Sequence, residues 1–376
     1  MEFSQEQEQA LERIRDWRDN SDEQVLYLAG YAGSGKTTLA KHVGADVFAA
    51  FTGKAAYVLQ QKGCRNATTI HRLIYIPRMK SQQLLKQLLA QLEKTPDDEA
   101  LRKRIASERE NQRKPSWLLN LDSPLNRARL LVIDECSMVD ERIGRDLLSF
   151  NCKVLVLGDP AQLPPVFGAG YFTSRTPDIM LTEVHRQARD NPILDLATIV
   201  RQERRLPLDH PCVINKPTAK LALGVDQLIV GRNATRRSTN ARMRELLGYT
   251  EPLPVRGDRV VCLRNNHELE LLNGATYNVT DTAFDYADQS TIGLELDGNL
   301  AVTAHANTFH GREIPHWAEL DAEKFDYGYA LTCHKSQGSQ WDSVGIIDES
   351  HSFGPQRYNW LYTAITRAAK HLWVAA

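Results

Sequence analysis

The run Gly30-Tyr31-Ala32-Gly33-Ser34-Gly35-Lys36-Thr37-Thr38, preceded by apolar Val25-Leu26-Tyr27-Leu28-Ala29, constrains this chain more than any other stretch. A buried strand that empties into a glycine-rich turn and then a helix is the context a phosphate-binding loop requires. Glycines let successive N–H groups converge on phosphate oxygens, and the partial positive charge of the helix start faces the same anion. Gly33, Ser34, Gly35, Lys36, Thr37 and Thr38 are the expected nucleotide contacts, with Lys36 on the β and γ phosphates and the Thr37 hydroxyl on Mg²⁺. A plain glycine turn beside a surface lysine would not need the Gly30-x4-Gly35-Lys36-Thr37 spacing.

Further strand-like runs deliver polar turns to what should be the same sheet edge, the place where ligands bind in α/β folds. Asp46 to Phe51 leads to Thr52-Gly53-Lys54-Ala55-Ala56, and Thr68-Thr69-Ile70-His71-Arg72 follows another helix. Arg129-Leu130-Leu131-Val132-Ile133 ends in Asp134-Glu135-Cys136-Ser137. Adjacent acids after a strand often do no more than start a helix. About a hundred residues after a phosphate loop, they suit a metal-holding carboxylate and one that polarises water. Lys153-Val154-Leu155-Val156-Leu157 leads to Gly158-Asp159-Pro160-Ala161-Gln162-Leu163-Pro164-Pro165, where Gln162 can sense the γ-phosphate and Asp159 can orient its neighbours. Upstream, Ser4 is a candidate N-cap for a helix through Asp19, on which Gln5, Gln7 and Gln9 include one amide able to read an adenine edge.

Residues 80–114 read as an inserted helical hairpin. Leu84, Leu85, Leu88, Leu89 and Leu92 mark one apolar face, and Thr95-Pro96 offers a cap and a first-turn proline for a second helix ending near Arg113. Between Arg78 and Lys114 stand ten Lys or Arg against six Asp or Glu, which fits a solvated face as well as a DNA-contacting wedge.

A second half begins near residue 190. Gln227-Leu228-Ile229-Val230 is a short strand; from Asn273 to about Phe309, short alternating runs split by Asn-Gly and Asp-Gly turns predict a small β insertion. Strand and turn return at Tyr327 to Gly338 and a strand at Val344 to Asp348, before an amphipathic helix from Trp360 to Ala368 and a last strand at His371 to Val374. Arg186 and Arg367 are placed to meet a nucleotide from the second half, where a guanidinium fork suits the charge developing on a transferred phosphoryl group.

At 376 residues, 42% hydrophobic and 25% charged, the chain supports two cored domains. A net charge of −1 leaves nucleic-acid binding to local clusters of Lys and Arg. The six cysteines lack CxxC spacing, which points to reduced, buried thiols rather than zinc or disulfides. No apolar run approaches a membrane span, and Met1-Glu2-Phe3-Ser4-Gln5 lacks the regions of a signal peptide, so the cytoplasm of a bacterium or phage-infected host is the expected compartment.

In order, these segments resemble superfamily 1 DNA helicases, most closely the RecD-like and phage Dda-like branch, over nearly the whole chain. The resemblance implies an α/β fold with two tandem RecA-like P-loop domains. The first would comprise residues 1–79 and 127–188, with a helical insertion at 80–126. The second would comprise 189–272 and 327–376, with an SH3-like β insertion at 273–326. It implies ATP and Mg²⁺ in the interdomain cleft, with Asp134 and Thr37 on the metal, Glu135 activating water, Gln162 sensing the γ-phosphate and Arg186 and Arg367 as arginine fingers. Gln7 resembles the adenine-reading glutamine; Thr52, Lys54, His71, Thr332, His334 and Lys335 resemble residues lining a DNA track. The implied activity is ATP-driven 5′-to-3′ translocation on single-stranded DNA and unwinding of tailed duplexes by a compact monomeric motor, alongside a single-stranded-DNA-binding protein or replication proteins. Two other readings remain: a translocase that remodels DNA–protein complexes without separating strands, and a small-molecule P-loop kinase, whose turnover would ignore DNA.

Overall fold

The computed structural model describes residues 3–77, 82–95, 98–113, 117–164, 170–183, 191–266, 269, 271–283, 290–312, 314 and 322–376. Ser4 caps helix α1 (Gln5–Asn20) through a reciprocal pair of bonds with Gln7. Strand β1 (Val25–Gly30) carries the glycine-rich turn into α2 (Lys36–Ala40), followed by β2 (Val47–Ala50), α3 (Gly53–Gln61), β3 (Thr68–Thr69) and α4 (Ile70–Ile74). After β4 (Tyr75–Pro77), α5 (Gln82–Lys94), α6 (Glu99–Arg113) and β5 (Trp117–Leu119), the chain returns through β6 (Leu130–Asp134), α7 (Glu141–Leu148), β7 (Lys153–Gly158) and β8 (Ile179–Leu181).

Among the described residues, six strands form a sheet in the order β3-β2-β6-β7-β1-β8, every pair parallel. Leu26 and Leu28 enter one apolar core, Tyr27 and Ala29 the other. Both faces are thus covered, as a parallel sheet requires. Because the strands run one way, the residues following β1, β2, β6 and β7 share one edge.

The second half contains α8 (Pro192–Glu203), β9 (Val213–Ile214), α9 (Ala219–Leu223), β10 (Gln227–Val230) and α10 (Asn233–Leu246). Then come β11 (Arg259–Cys262), β12 (Thr276–Ala283), β13 (Thr291–Leu296), β14 (Leu300–His305), α11 (Ala306–Phe309) and β15 (Phe325–Tyr327). It ends with β16 (Ala330–Thr332), α12 (Cys333–Ser336), β17 (Trp341–Ile347), α13 (Arg357–Ile365) and β18 (Ala368–Ala375). A second parallel sheet has the order β16-β10-β17-β18-β9.

Three local expectations change. The inserted hairpin is helical, with Leu88 packed on Leu101 and Ile105, but it stands on an antiparallel ribbon of β4 and β5. Thr95 closes α5 instead of opening α6, since its N–H and hydroxyl both donate to the Gln91 carbonyl; the Asp98 carboxylate accepts from the Leu101 N–H and takes the capping role. Pro96 lies outside the described residues. The β insertion is an antiparallel sheet, β14-β13-β12-β11-β15, that includes β11 and so reaches back before residue 273. Val260 and Cys262 on β11 share its core with Val279 and Phe325, which is why the strand joins it.

Candidate active site

Gly33 and Gly35 both have φ of 81°, the left-handed conformation that turns successive N–H groups inward. A Cβ on Gly30 would lie 2.5 Å from Ser34 Oγ, so that position has no room for a side chain. The Lys36 ammonium folds onto its own loop, donating to the carbonyls of Gly30 (2.6 Å) and Tyr31 (3.1 Å). The Thr37 hydroxyl donates to Asp134 Oδ2 at 3.0 Å. Burial pushes the Asp134 carboxyl up, and Glu135 beside it adds to the effect. This convergence of hard oxygen donors fits a magnesium ion, whose charge would reverse that push.

Glu135 sits at φ 53°, ψ 46°. A left-handed residue bearing a side chain costs about 1–3 kcal/mol, and such outliers gather at working sites. Its carboxylate lies 3.8 Å from Arg367 Nη1.

Arg367 comes from the other half of the molecule. It follows the end of α13 rather than riding on the helix, because α13 stops at Ile365. It is 5% exposed, and its guanidinium donates to the carbonyls of Thr363 (3.1 Å) and Ser339 (3.2 Å) and to Thr366 Oγ1 (3.2 Å). Together with Gly338, Ser339 and Gln340 it faces Lys36, Thr37, Asp134, Glu135 and Gln162 across a cleft of about 180 Å³ that opens to solvent. Gln162 is buried with its Oε1 unpartnered among the described residues, so an acceptor remains available in the cleft.

The turn carrying Gln162 is gripped by the second half. Leu163 N–H donates to Thr363 Oγ1 (2.8 Å), the Leu163 carbonyl accepts from Gln337 (2.8 Å), and the Ala161 carbonyl accepts from Asn359 (3.0 Å). The Leu163 side chain is fully buried in the apolar core around α8 and α13.

A family model described as "AAA domain" matches residues 2–209, more than half of the chain. The chain belongs to this AAA domain family. A second model, "UvrD-like helicase C-terminal domain", matches residues 327–375 of the same AAA domain chain, where Arg367 lies. The expected likeness to superfamily 1 helicases of the RecD-like branch therefore holds, and the relatives add the Pif1 type to it. Over 97% of its length the AAA domain chain is 28% identical to the ATP-dependent RecD2 DNA helicase of Deinococcus radiodurans, and it spans 48% of that protein. It is 24% identical to the ATP-dependent DNA helicase Pif1 of Campylobacter jejuni, over 69% of this chain and 71% of the relative. A structure of Bacteroides Pif1 bound to ssDNA superposes with a TM-score of 0.58 at 19% identity, covering 100% of this chain and 92% of that one. One of Pif1 from Candida albicans gives 0.56 at 18%, covering 100% and 94%. The shared fold is two RecA-like domains.

Of the residues expected at the nucleotide, the structure gathers Gly33, Lys36, Thr37, Asp134, Glu135, Gln162 and Arg367 at one cleft. Ser34 and Gly35 complete the loop, Thr38 lies in α2, and Arg186 falls outside the described residues. Gln7 is 3% exposed beneath the loop: its Nε2 donates to the Ser34 carbonyl (3.0 Å) and its Oε1 accepts from Ser4 N–H. In this geometry its amide braces the loop from beneath.

The expected DNA-facing residues divide into pairs. Thr52 and Thr332 both spend their hydroxyls as helix caps, on Ala55 N–H and Lys335 N–H. Burial lowers the pKa of both His71 and His334, which keeps these imidazoles neutral near pH 7. His71 packs among Phe51, Tyr75 and Trp117, and His334 against Phe353. Lys54 lies 4.2 Å over the ring of Trp341 from the other half, and burial brings its pKa down to about 8. Burial lowers the pKa of Lys335 as well, although its side chain keeps contact with solvent.

The sequence reading assigns no role to Thr363, Gln337 or Asn359, although they join the halves. One signal for them exists. Polar side chains inside an otherwise apolar, buried helix must find partners, and Thr363 is such a residue in α13.

Proposed function

We propose that this chain is an ATP-dependent DNA helicase that travels along single-stranded DNA and unwinds duplex DNA, working as a monomer. The observation that carries this reading is the divided cleft, with Lys36, Thr37, Asp134 and Glu135 on one side and Arg367 on the other. Chemistry performed in such a cleft changes how the two halves sit against each other, which is what a motor needs. The relatives named above as DNA helicases support the polynucleotide track, and the RecD-like resemblance supports 5′-to-3′ travel.

In this reading the backbone of residues 33–38 cradles the phosphates, and Lys36 leaves the carbonyls of Gly30 and Tyr31 for the β and γ oxygens. Thr37 and Asp134 would hold Mg²⁺, which would supply charge neutralisation on the phosphates. Glu135 takes a proton from the attacking water, Gln162 positions that water with its open acceptor, and Arg367 offsets the charge that builds on the departing phosphoryl oxygens. Arg186 would act as a second arginine. Thr52, Lys54 and His71 of the first domain and Thr332, His334 and Lys335 of the second form the proposed track. Phosphate contacts there need cations, and the aromatic group around His71 offers faces on which bases of any sequence can stack.

The test is ATP-dependent unwinding of duplexes bearing a 5′ or a 3′ single-stranded tail, with Lys36→Ala as the control expected to fold but not to turn over ATP. Unwinding from the 5′ tail supports the full proposal. ATP turnover indifferent to single-stranded DNA, or normal turnover by Lys36→Ala, refutes it.

A further inference from the structure

We infer that the hydroxyl of Tyr362 is a positioning group through which docking of the second domain sets both the phosphate loop and the turn that carries Gln162. This rests on the nucleotide reading of the cleft proposed above.

Tyr362 lies in α13 and is 2% exposed. Its oxygen accepts from the N–H of Ala32, inside the glycine-rich loop, at 2.8 Å. Its O–H donates to Asp159 Oδ2 at 2.7 Å. The other carboxylate oxygen, Oδ1, accepts from Ala161 N–H at 3.0 Å, and the Asp159 carbonyl accepts from Gln162 N–H at 3.1 Å. One hydroxyl therefore joins the loop that holds phosphate to the turn that presents Gln162.

Both partners of Tyr362 belong to the first domain, so its two bonds exist only while the halves are together. The surroundings share this dependence. Arg201 of α8 stacks 3.5 Å from the ring of Tyr31, next to Ala32, and Thr363 grips Leu163 immediately beyond Gln162. The same chain segment supplies Arg367 five residues later, so a shift of α13 that breaks the Tyr362 bonds also withdraws the guanidinium from Glu135. Separated halves would leave Ala32 N–H free to turn and Asp159 without its donor, which loosens the Gln162 turn. Nucleotide held by Lys36 and the loop backbone would still bind; the arrangement for hydrolysis would be less often complete.

The test uses the full chain with Tyr362→Phe, Asp159→Asn and the double variant. Turnover at saturating ATP is measured with and without oligo-dT, together with the affinity for a fluorescent ADP analogue and the thermal midpoint. Each single variant is expected to lower kcat by about tenfold or more while ADP affinity moves less than about threefold. The double variant should be no worse than the weaker single, because both interrupt one connection. The inference is overturned if Tyr362→Phe turns over within about twofold of wild type, if the two losses multiply, or if affinity falls as far as kcat. Should Tyr362→Phe fail to fold, Asp159→Asn, which keeps the shape of the side chain, decides by the same criteria. A wild-type enzyme unaffected by oligo-dT would sink the helicase reading instead, and DNA-free turnover would still decide the role of Tyr362.

Discussion

Replacing Arg367 by alanine removes the guanidinium that the second domain brings to within 3.8 Å of Glu135. At 3.8 Å, and with an effective dielectric constant of about 20, a full charge pair is worth ~4 kcal/mol. The charge that builds on a phosphoryl group in transfer would sit in the same field, so a loss of ~4 kcal/mol predicts a kcat lower by about a thousandfold. Three hydrogen bonds hold the guanidinium in place beforehand, so little ordering cost would be recovered on its removal. Nucleotide affinity should fall by less than about fivefold, since the loop backbone, Lys36 and Thr37 remain. Arg367→Lys keeps the charge without the fork and should fall between the two, about a hundredfold below wild type. Removing buried bonds also costs folding stability, ~2 kcal/mol by the usual size of such interactions, so thermal unfolding must show both variants intact at the assay temperature. Steady-state ATP turnover and equilibrium nucleotide titration then provide the two numbers. Equal losses in both, or turnover within about tenfold of wild type for the alanine variant, would refute the assigned role.

The amine of Lys54 titrates near pH 8 under Trp341, against 10.5 in water, so the folded molecule has shed a proton that the unfolded chain still holds between those values. The burial cost is complete below pH 8 and is relieved as pH rises towards 10.5. Lys54→Met should therefore be more stable than wild type at pH 7, with an advantage of up to ~2 kcal/mol that shrinks by pH 10; a pH-independent difference in denaturant unfolding would refute this. A Cβ on Gly345 would stand 2.2 Å from Trp373 Cζ2, between the paired strands β17 and β18. Gly345→Ala should cost ~2–3 kcal/mol and lower the thermal midpoint by several degrees, and an unchanged midpoint would mean that the indole moves aside.

The elements at the sheet edges were legible because apolar runs of strand length ended in turns with a distinct chemistry. That held for the loop before Lys36, for Asp134 and Glu135, and for the turn at Asp159 and Gln162. What one window of sequence could not display was how a residue's bonds are shared. The spacing around Gln7 gives no sign that its amide also ties Ser4 to the Ser34 carbonyl, a connection made by packing. Thr95 fits a helix start as well as a helix end, and its bonds to Gln91 decide the matter. Strand β11 precedes the turn-rich region, so only its pairing with β12 and β15 reveals that it belongs there. The left-handed backbone of Glu135 has no compositional sign at all, since the conformation is imposed on a residue that disfavours it.

The clasp on residues 161–163 is taken largely on peptide groups: a carbonyl of Ala161, and both the amide and the carbonyl of Leu163. Peptide groups are the same whatever residue carries them. Evolution can therefore rewrite the side chain at position 162, and with it the water-positioning role proposed for Gln162, without renegotiating the joint between the two halves.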